Sequence, residues 1–198
     1  MEAQLQALRD VYHATGGANW KKNDGWLSED PCSTEWRGVT CKDGVVRKLR
    51  LVNNKVTGAL PESLGKLSGL RELLLTGNHI SGPLSEGIRP LRELRILSAS
   101  KNQMAGTLPQ WLGELEELKE INLSYNSFVS IPPSVGRLRN LTELNVYSNA
   151  LVGPLVEEIG QLHNLKHLYL INNHLTGPIP ESYRGLVKLE RLALHKAP

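Results

Sequence analysis

Few residues in this sequence have the type and spacing that catalysis or metal binding requires. His163 and His167 are four residues apart, a spacing that joins a metal ion only when both side chains stand on one helix. The stretch 58–66 contains glycines and a lysine but not the order found in phosphate-binding loops. The motifs of serine hydrolases, zinc proteases and protein kinases do not occur. The sequence therefore predicts no enzyme activity, no metal site and no cofactor.

The residues that do recur are leucine and asparagine. Leucine occurs 35 times and phenylalanine once, which is typical of one packing unit used repeatedly. An asparagine returns at intervals of 24, 24, 24, 23 and 24 residues. The same frame, L-x-x-L-x-L-x-x-N, precedes these asparagines, with Ala, Ile or Val replacing a leucine in some units. The six asparagines are Asn54, Asn78, Asn102, Asn126, Asn149 and Asn173. Such a period predicts an array of stacked repeats.

The L-x-L centre of each unit alternates with a period of two, which predicts a short strand with leucines inward. One such strand cannot bury its apolar face alone, so the units must stack at about 4.8 Å. We expect each recurring asparagine to bond to backbone groups of successive turns and to form a ladder. The fold class predicted is an α/β solenoid with a concave parallel sheet and an irregular or 3-10 convex side. The fourth unit lacks its turn glycine, which predicts a local adjustment on the convex side.

The sequence ahead of the repeats differs in composition and predicts an N-terminal cap over residues 1–44. Residues 2–14 have helical periodicity, and tryptophans and two cysteines, Cys32 and Cys41, follow in a turn-rich stretch. If these cysteines are oxidised, the bond stabilises the fold by about 2–3 kcal/mol in the chain-entropy model. Residues 45–198 then hold six complete repeats of 23–24 residues and a truncated seventh. That last unit has no polar cap, which predicts an open apolar edge through which copies could associate, or a piece of a longer protein.

The turn and cap motifs resemble those of a known family. The turn Gly177-Pro178-Ile179-Pro180 and the cap stretches 16–20 and 36–41 resemble plant-type leucine-rich repeat proteins, such as receptor-kinase ectodomains and polygalacturonase inhibitors. The single cysteine pair is more similar to algal, oomycete and other protist members. The resemblance implies ligands that range from peptides and steroids to enzymes, and a cap disulfide between Cys32 and Cys41. Such a disulfide favours an extracellular or cell-surface location, which we therefore expect. The cytoplasm is the alternative, because no apolar signal-peptide core follows Met1.

The outward positions of the predicted strands hold the candidate binding residues. Tyrosine is enriched at interface hot spots, and three tyrosines fall on successive strands in a diagonal. The predicted partner-binding residues are Tyr125, Tyr147, Tyr169, His167, Ile171 and Asn145. A secondary basic patch is predicted on the first repeat strand, at Arg47, Lys48 and Arg50. Ordinary variation of exposed strand positions is the alternative explanation for both groups.

Charge and hydropathy limit the function classes further. The 23 basic and 20 acidic residues are scattered, so composition alone gives no reason to expect a nucleic-acid or anionic-membrane partner. The longest leucine run is residues 73–75, far short of the roughly 20 apolar residues of a membrane span. We therefore expect a non-enzymatic module that binds a protein or peptide on the concave sheet. The alternatives are the sensing part of a larger receptor, an inhibitor of a secreted hydrolase, or a purely structural protein.

Overall fold

The repeat strands stack side by side in the computed structural model, which describes residues 2–194. The described chain begins with helix α1 and continues through fourteen strands. The bounds are α1 (Glu2–Ala14), β1 (Val39–Lys42), β2 (Val45–Arg50), β3 (Thr57–Gly58), β4 (Glu72–Leu74), β5 (His79–Gly82), β6 (Ile96–Ser98), β7 (Gln103–Thr107), β8 (Glu120–Asn122), β9 (Ser127–Ser130), β10 (Glu143–Asn145), β11 (Val152–Pro154), β12 (His167–Tyr169), β13 (His174–Thr176) and β14 (Arg191–Ala193). The concave sheet has the order β1-β2-β4-β6-β8-β10-β12-β14, and all its pairs are parallel except β1 with β2. The predicted solenoid is confirmed.

The central leucine of each unit explains why the strands stack in register. Leu73 pairs with Leu97, which pairs with Ile121, and all three side chains are fully buried. The neighbours before and after each of these residues point out of the sheet, as the period of two requires. Short 3-10 turns cover the opposite side of the solenoid, at Glu62–Lys66, Glu86–Ile88, Gln110–Glu114, Pro133–Arg137, Glu157–Gln161 and Glu181–Gly185.

The recurring asparagines connect each unit to the one before it. The Asn102 Oδ1 atom accepts a hydrogen bond from the Ile80 amide at 3.0 Å. Its Nδ2 donates to the Leu75 carbonyl of the preceding unit at 3.0 Å and to Ala99 of its own unit at 3.0 Å. Asn78, Asn126, Asn149 and Asn173 repeat this arrangement. Asn54 instead bonds to both backbone groups of Lys22 in the cap, so the ladder runs from cap to repeats.

The cap closes the first strand of the array. The rings of Trp20 and Trp26 lie edge to face at 4.8 Å, and Trp26 packs against Trp36 at 5.1 Å. Cys32 and Cys41 form a disulfide. Strand β1, which the sequence did not predict, pairs antiparallel with β2 and places the predicted cap boundary in the turn between them. The cap thus extends the concave sheet by one strand.

The short fourth unit changes the convex side as expected. Small parallel sheets run behind the concave sheet, one of them β3-β5-β7-β9 and the other β11-β13. They are not joined between β9 and β11, which is where the turn glycine is missing. A cavity of about 210 Å³ lies beside this break and is lined mainly by apolar side chains, among them Ile131, Leu155 and Val156. The concave sheet continues across the same boundary without interruption.

The last described strand leaves apolar surface open. Leu192 on β14 is 44% exposed, although it occupies the position of the fully buried leucines in earlier units. The end of the predicted seventh unit, residues 195–198, lies outside the described residues. No helix in the described part of the chain has the length and apolar character needed to cross a bilayer.

Replacing Asn102 with leucine tests the ladder. We expect Asn102→Leu to lower the free energy of unfolding by about 2 kcal/mol or more, because the Ile80 amide and the Leu75 and Ala99 carbonyls lose their partner. Urea unfolding followed by circular dichroism measures the change. Asn140→Leu is the matched control, since Asn140 is exposed and its side chain makes one hydrogen bond, to the Glu116 carbonyl. Equal stability of the two variants would show that the ladder does not hold the repeats together.

Candidate partner-binding face

The exposed face of the concave sheet is built from side chains that alternate with the buried leucines. Glu143 pairs with His167 and Asn145 with Tyr169 across β10 and β12. The parallel register therefore places the predicted residues His167, Tyr169 and Asn145 next to one another on one face. Tyr125 lies three residues after the end of β8 and Tyr147 two residues after the end of β10, where the chain turns away from the sheet.

Tyr125 and Tyr147 form a ring pair. Their centroids are 5.0 Å apart and the rings meet edge to face at 76°. The Tyr125 side chain is 46% exposed, and the Lys101 ammonium lies 5.6 Å from its ring centre. The neighbouring hydroxyl of Tyr147 raises the pKa of Tyr125 above the ordinary value for tyrosine. We call Tyr125 and Tyr147 the tyrosine pair.

Hydrogen bonds fix Tyr147 within this pair. Its backbone amide donates to the Asn145 side-chain oxygen at 3.1 Å. Its hydroxyl accepts a hydrogen bond from the Asn172 side chain at 3.0 Å. Both ends of the residue are therefore held in place before any partner arrives.

Tyr169 belongs to a separate group on the same face. It contacts the His167 ring, with centroids 6.2 Å apart, and has no ring contact with Tyr147 among the described residues. The His167 nitrogens lie 3.6 Å from Glu143 on one side and 3.6 Å from Glu190 on the other. Ile171 is half-buried. The predicted diagonal of three tyrosines thus consists of the tyrosine pair and a neighbouring His167–Tyr169 group.

The structure does not bring Arg47, Lys48 and Arg50 together as one open basic cluster. The Arg47 guanidinium turns to the sheet edge, where it lies 2.8 Å from the Glu93 carboxylate and donates to the Gly69 carbonyl. Lys48 is paired with Glu72 at 2.6 Å. The hydrogen bond from Arg71, with the charge of Arg47, holds the pKa of Glu93 below its ordinary value. Arg50 alone is exposed and makes no ion pair within the described residues.

Comparison with known proteins places this architecture in a family. A family model described as a leucine-rich repeat region matches residues 44–197, most of the chain. The chain belongs to the leucine-rich repeat family. Plant relatives and the solved structures of plant ectodomains show that its repeats are of the plant type.

Two curated relatives come from Arabidopsis thaliana. Phytosulfokine receptor 1 is 43% identical over 75 residues, which cover 34% of this chain and 7% of the receptor. A probable leucine-rich repeat receptor-like protein kinase is 39% identical over 68 residues, covering 34% of this chain and 6% of the kinase. The matches therefore span a small part of these larger proteins, and that part is the repeat region.

Solved structures extend the likeness over nearly the whole chain. A plant ice-binding protein superposes with a TM-score of 0.84 at 28% identity, covering 92% of this chain and 60% of that protein. The ectodomain of the Arabidopsis thaliana receptor kinase SOBIR1 gives 0.77 at 28% identity, covering 91% and 98%. The Arabidopsis HAESA ectodomain, solved with an IDA peptide hormone, gives 0.74 at 25% identity, covering 96% and 37%.

Sequence reasoning missed two residues beside the tyrosine pair of this leucine-rich repeat protein. Lys101 and Asn172 occupy the same repeat position as Tyr125, directly before the ladder asparagine. Every described residue directly before a ladder asparagine has a positive φ. These residues are Asn53, Gly77, Lys101, Tyr125, Ser148 and Asn172. An alignment of the repeats at the position before each ladder asparagine would have placed Lys101, Tyr125 and Asn172 in one column. Ser100 and Ser124 occupy outward positions of the repeat frame, where an exposed side chain is expected, but both are buried.

The pKa of Tyr125 tests the geometry of the tyrosine pair. We expect Tyr147→Phe to lower the pKa of Tyr125 towards its ordinary value, because the neighbouring hydroxyl that raises it is removed. Titration of ring carbon signals by NMR measures each tyrosine separately. Tyr12→Phe, in the cap, is the control and should leave the Tyr125 pKa unchanged. An unaltered Tyr125 pKa in Tyr147→Phe would contradict the close approach of the two side chains.

Proposed function

We propose that this protein is a non-enzymatic recognition module that binds an extended peptide, or a peptide segment of a protein, on its concave sheet. The tyrosine pair, whose rings lie 5.0 Å apart with Tyr125 exposed and Tyr147 half-buried, carries the proposal. Relatives of the same fold support it, since the HAESA ectodomain was solved with a peptide hormone. Solenoids of this kind offer their curved inner surface to ligands.

The tyrosine pair suits binding because it is ordered in advance. Tyrosine offers a large contact area with few rotatable bonds, and it can also hydrogen-bond. Tyr147 donates its backbone amide to Asn145 and accepts a hydrogen bond from Asn172 at its hydroxyl, so little conformational entropy remains to be lost on binding. Lys101 beside Tyr125 adds a cation at the rim of the contact.

The neighbouring His167–Tyr169 group supplies a different chemistry for the same ligand. Glu143 lies 3.6 Å from His167, and its register partner Glu120 on β8 places a second carboxylate on this part of the face. A peptide lying across both groups would place an apolar or aromatic side chain on the tyrosine pair and a basic side chain beside Glu143. Opposite charges at such positions favour one orientation of the peptide over the other.

A second candidate function is ligand sensing as part of a larger receptor located outside the cell. The SOBIR1 ectodomain favours it, because this chain covers 98% of that ectodomain. The disulfide between Cys32 and Cys41 fits an oxidising compartment. This candidate uses the same concave face and the same residues as the first.

A peptide selection tests the proposed face. Peptides selected from a random phage-displayed library against the intact protein should bind Tyr147→Ala less tightly by about 1–3 kcal/mol, since a central interface tyrosine is lost. Isothermal titration calorimetry with the selected synthetic peptides measures the change. The fold should remain stable, because Tyr147 is not part of the buried core.

The control is a convex residue. Arg89 is exposed and pairs with Glu114 on the opposite side of the solenoid, so Arg89→Ala should leave peptide affinity unchanged. If Arg89→Ala weakened binding and Tyr147→Ala did not, the concave-face proposal would be wrong and a convex contact would replace it.

A further inference from the structure

A second concavity lies where the cap meets the first repeat. It encloses about 510 Å³ and is lined by residues 37–38, by residues 50–54 at the end of β2, and by Lys22. Three of its lining residues, Lys22, Arg37 and Arg50, are cations, and none of its lining residues is acidic. Lys22 and Arg37 belong to the cap, so the linear sequence gives no sign that they approach Arg50.

Backbone hydrogen bonds hold the three cation-bearing segments in place. The Lys22 amide donates to the Asn54 side-chain oxygen at 2.8 Å, and the Asn54 amide group donates to the Lys22 carbonyl at 3.0 Å. The Arg50 amide donates to the Gly38 carbonyl at 2.7 Å, and the Arg37 amide donates to the Asp24 carbonyl at 2.9 Å. The first member of the asparagine ladder is therefore also part of this pocket.

Gly38 allows the cap to approach β2 closely. Its φ is +86°, and a Cβ atom added there would lie 2.1 Å from the Arg50 carbonyl oxygen. Only glycine fits this contact, and the contact is what places Arg37 beside Arg50. The backbone thus brings the segments that carry Arg37 and Arg50 together at the wall of one pocket.

The cations of this pocket are not neutralised by any residue that the structure describes. Across residues 2–194, no carboxylate lies within ion-pair distance of Lys22, Arg37 or Arg50. Most other strand-edge arginines of the first repeats are paired: Arg47 and Arg71 with Glu93, and Arg95 with Glu117 at 3.9 Å. A concave site lined by one sign of charge concentrates ions of the opposite sign.

We propose that Lys22, Arg37 and Arg50 form an oxyanion-binding site, whose occupant is a carboxylate, sulfate or phosphate group. Guanidinium groups bind such oxyanions through two parallel hydrogen bonds, and the lysine adds a point charge. The site lies three to four strand spacings, about 14–19 Å, from the tyrosine pair. It does not depend on the tyrosine pair, so failure of the peptide-binding proposal would leave it intact.

The experiment is an NMR titration of the whole chain with sodium sulfate and, separately, with sodium acetate, at constant ionic strength kept with sodium chloride. Backbone amide signals of Gly38 and Asn53 report on the pocket without requiring the arginine side chains. We expect saturable shifts with at least one of the two anions. Saturation with sulfate alone assigns the site to tetrahedral sulfate or phosphate groups, and saturation with acetate assigns it to carboxylates.

The test variant is Arg37→Gln/Arg50→Gln, which keeps all the backbone bonds described above. Its apparent dissociation constant should rise by at least about tenfold, since each lost charge at contact distance accounts for roughly fivefold. The control Arg137→Gln/Arg139→Gln removes the same charge from the convex side, where both residues are exposed, and should bind like the unaltered protein. Non-saturating shifts with both anions, or an equal loss in the two variants, would overturn the proposal.

Discussion

The asparagine amide that links neighbouring repeats is the interaction on which the rest of the structure depends. A strand of three residues has too few ladder bonds to stand alone, and the leucines behind it are buried only when the next unit is present. The amide satisfies backbone groups in two successive units at once, so it fixes both the spacing and the register of the stack. Buried backbone groups at this turn would otherwise lack partners.

The same turn decides what the concave face can display. The residue before each ladder asparagine adopts a positive φ, a conformation that costs free energy for residues other than glycine or asparagine. Tyr125 and Lys101 both adopt this conformation, and their side chains meet at the rim of the sheet. The ladder therefore holds the binding candidates as well as the core.

Periodicity revealed the fold because leucine and asparagine perform the same task in every unit. It could not reveal which charged residues pair, since that depends on neighbours one or two units away. Arg47 is neutralised by Glu93, which is 46 positions later, and Lys48 by Glu72. Ser100 is buried, and its hydroxyl bonds to Thr76 in the adjacent unit. Strand β1 was missed for a related reason, since its partner lies across a turn outside the repeat pattern.

The missing turn glycine of the fourth unit has a mechanical consequence. Behind the concave sheet, strand pairing stops between β9 and β11, and a cavity takes the place of packed side chains. Bending of a stacked solenoid changes the separation of units most on its outer side, and at the boundary between the fourth and fifth units the small sheets there are not joined. Tyr125 and Tyr147 stand on opposite sides of that boundary. The distance between their two ring centres, 5.0 Å, therefore spans the boundary at which the convex strand pairing is interrupted.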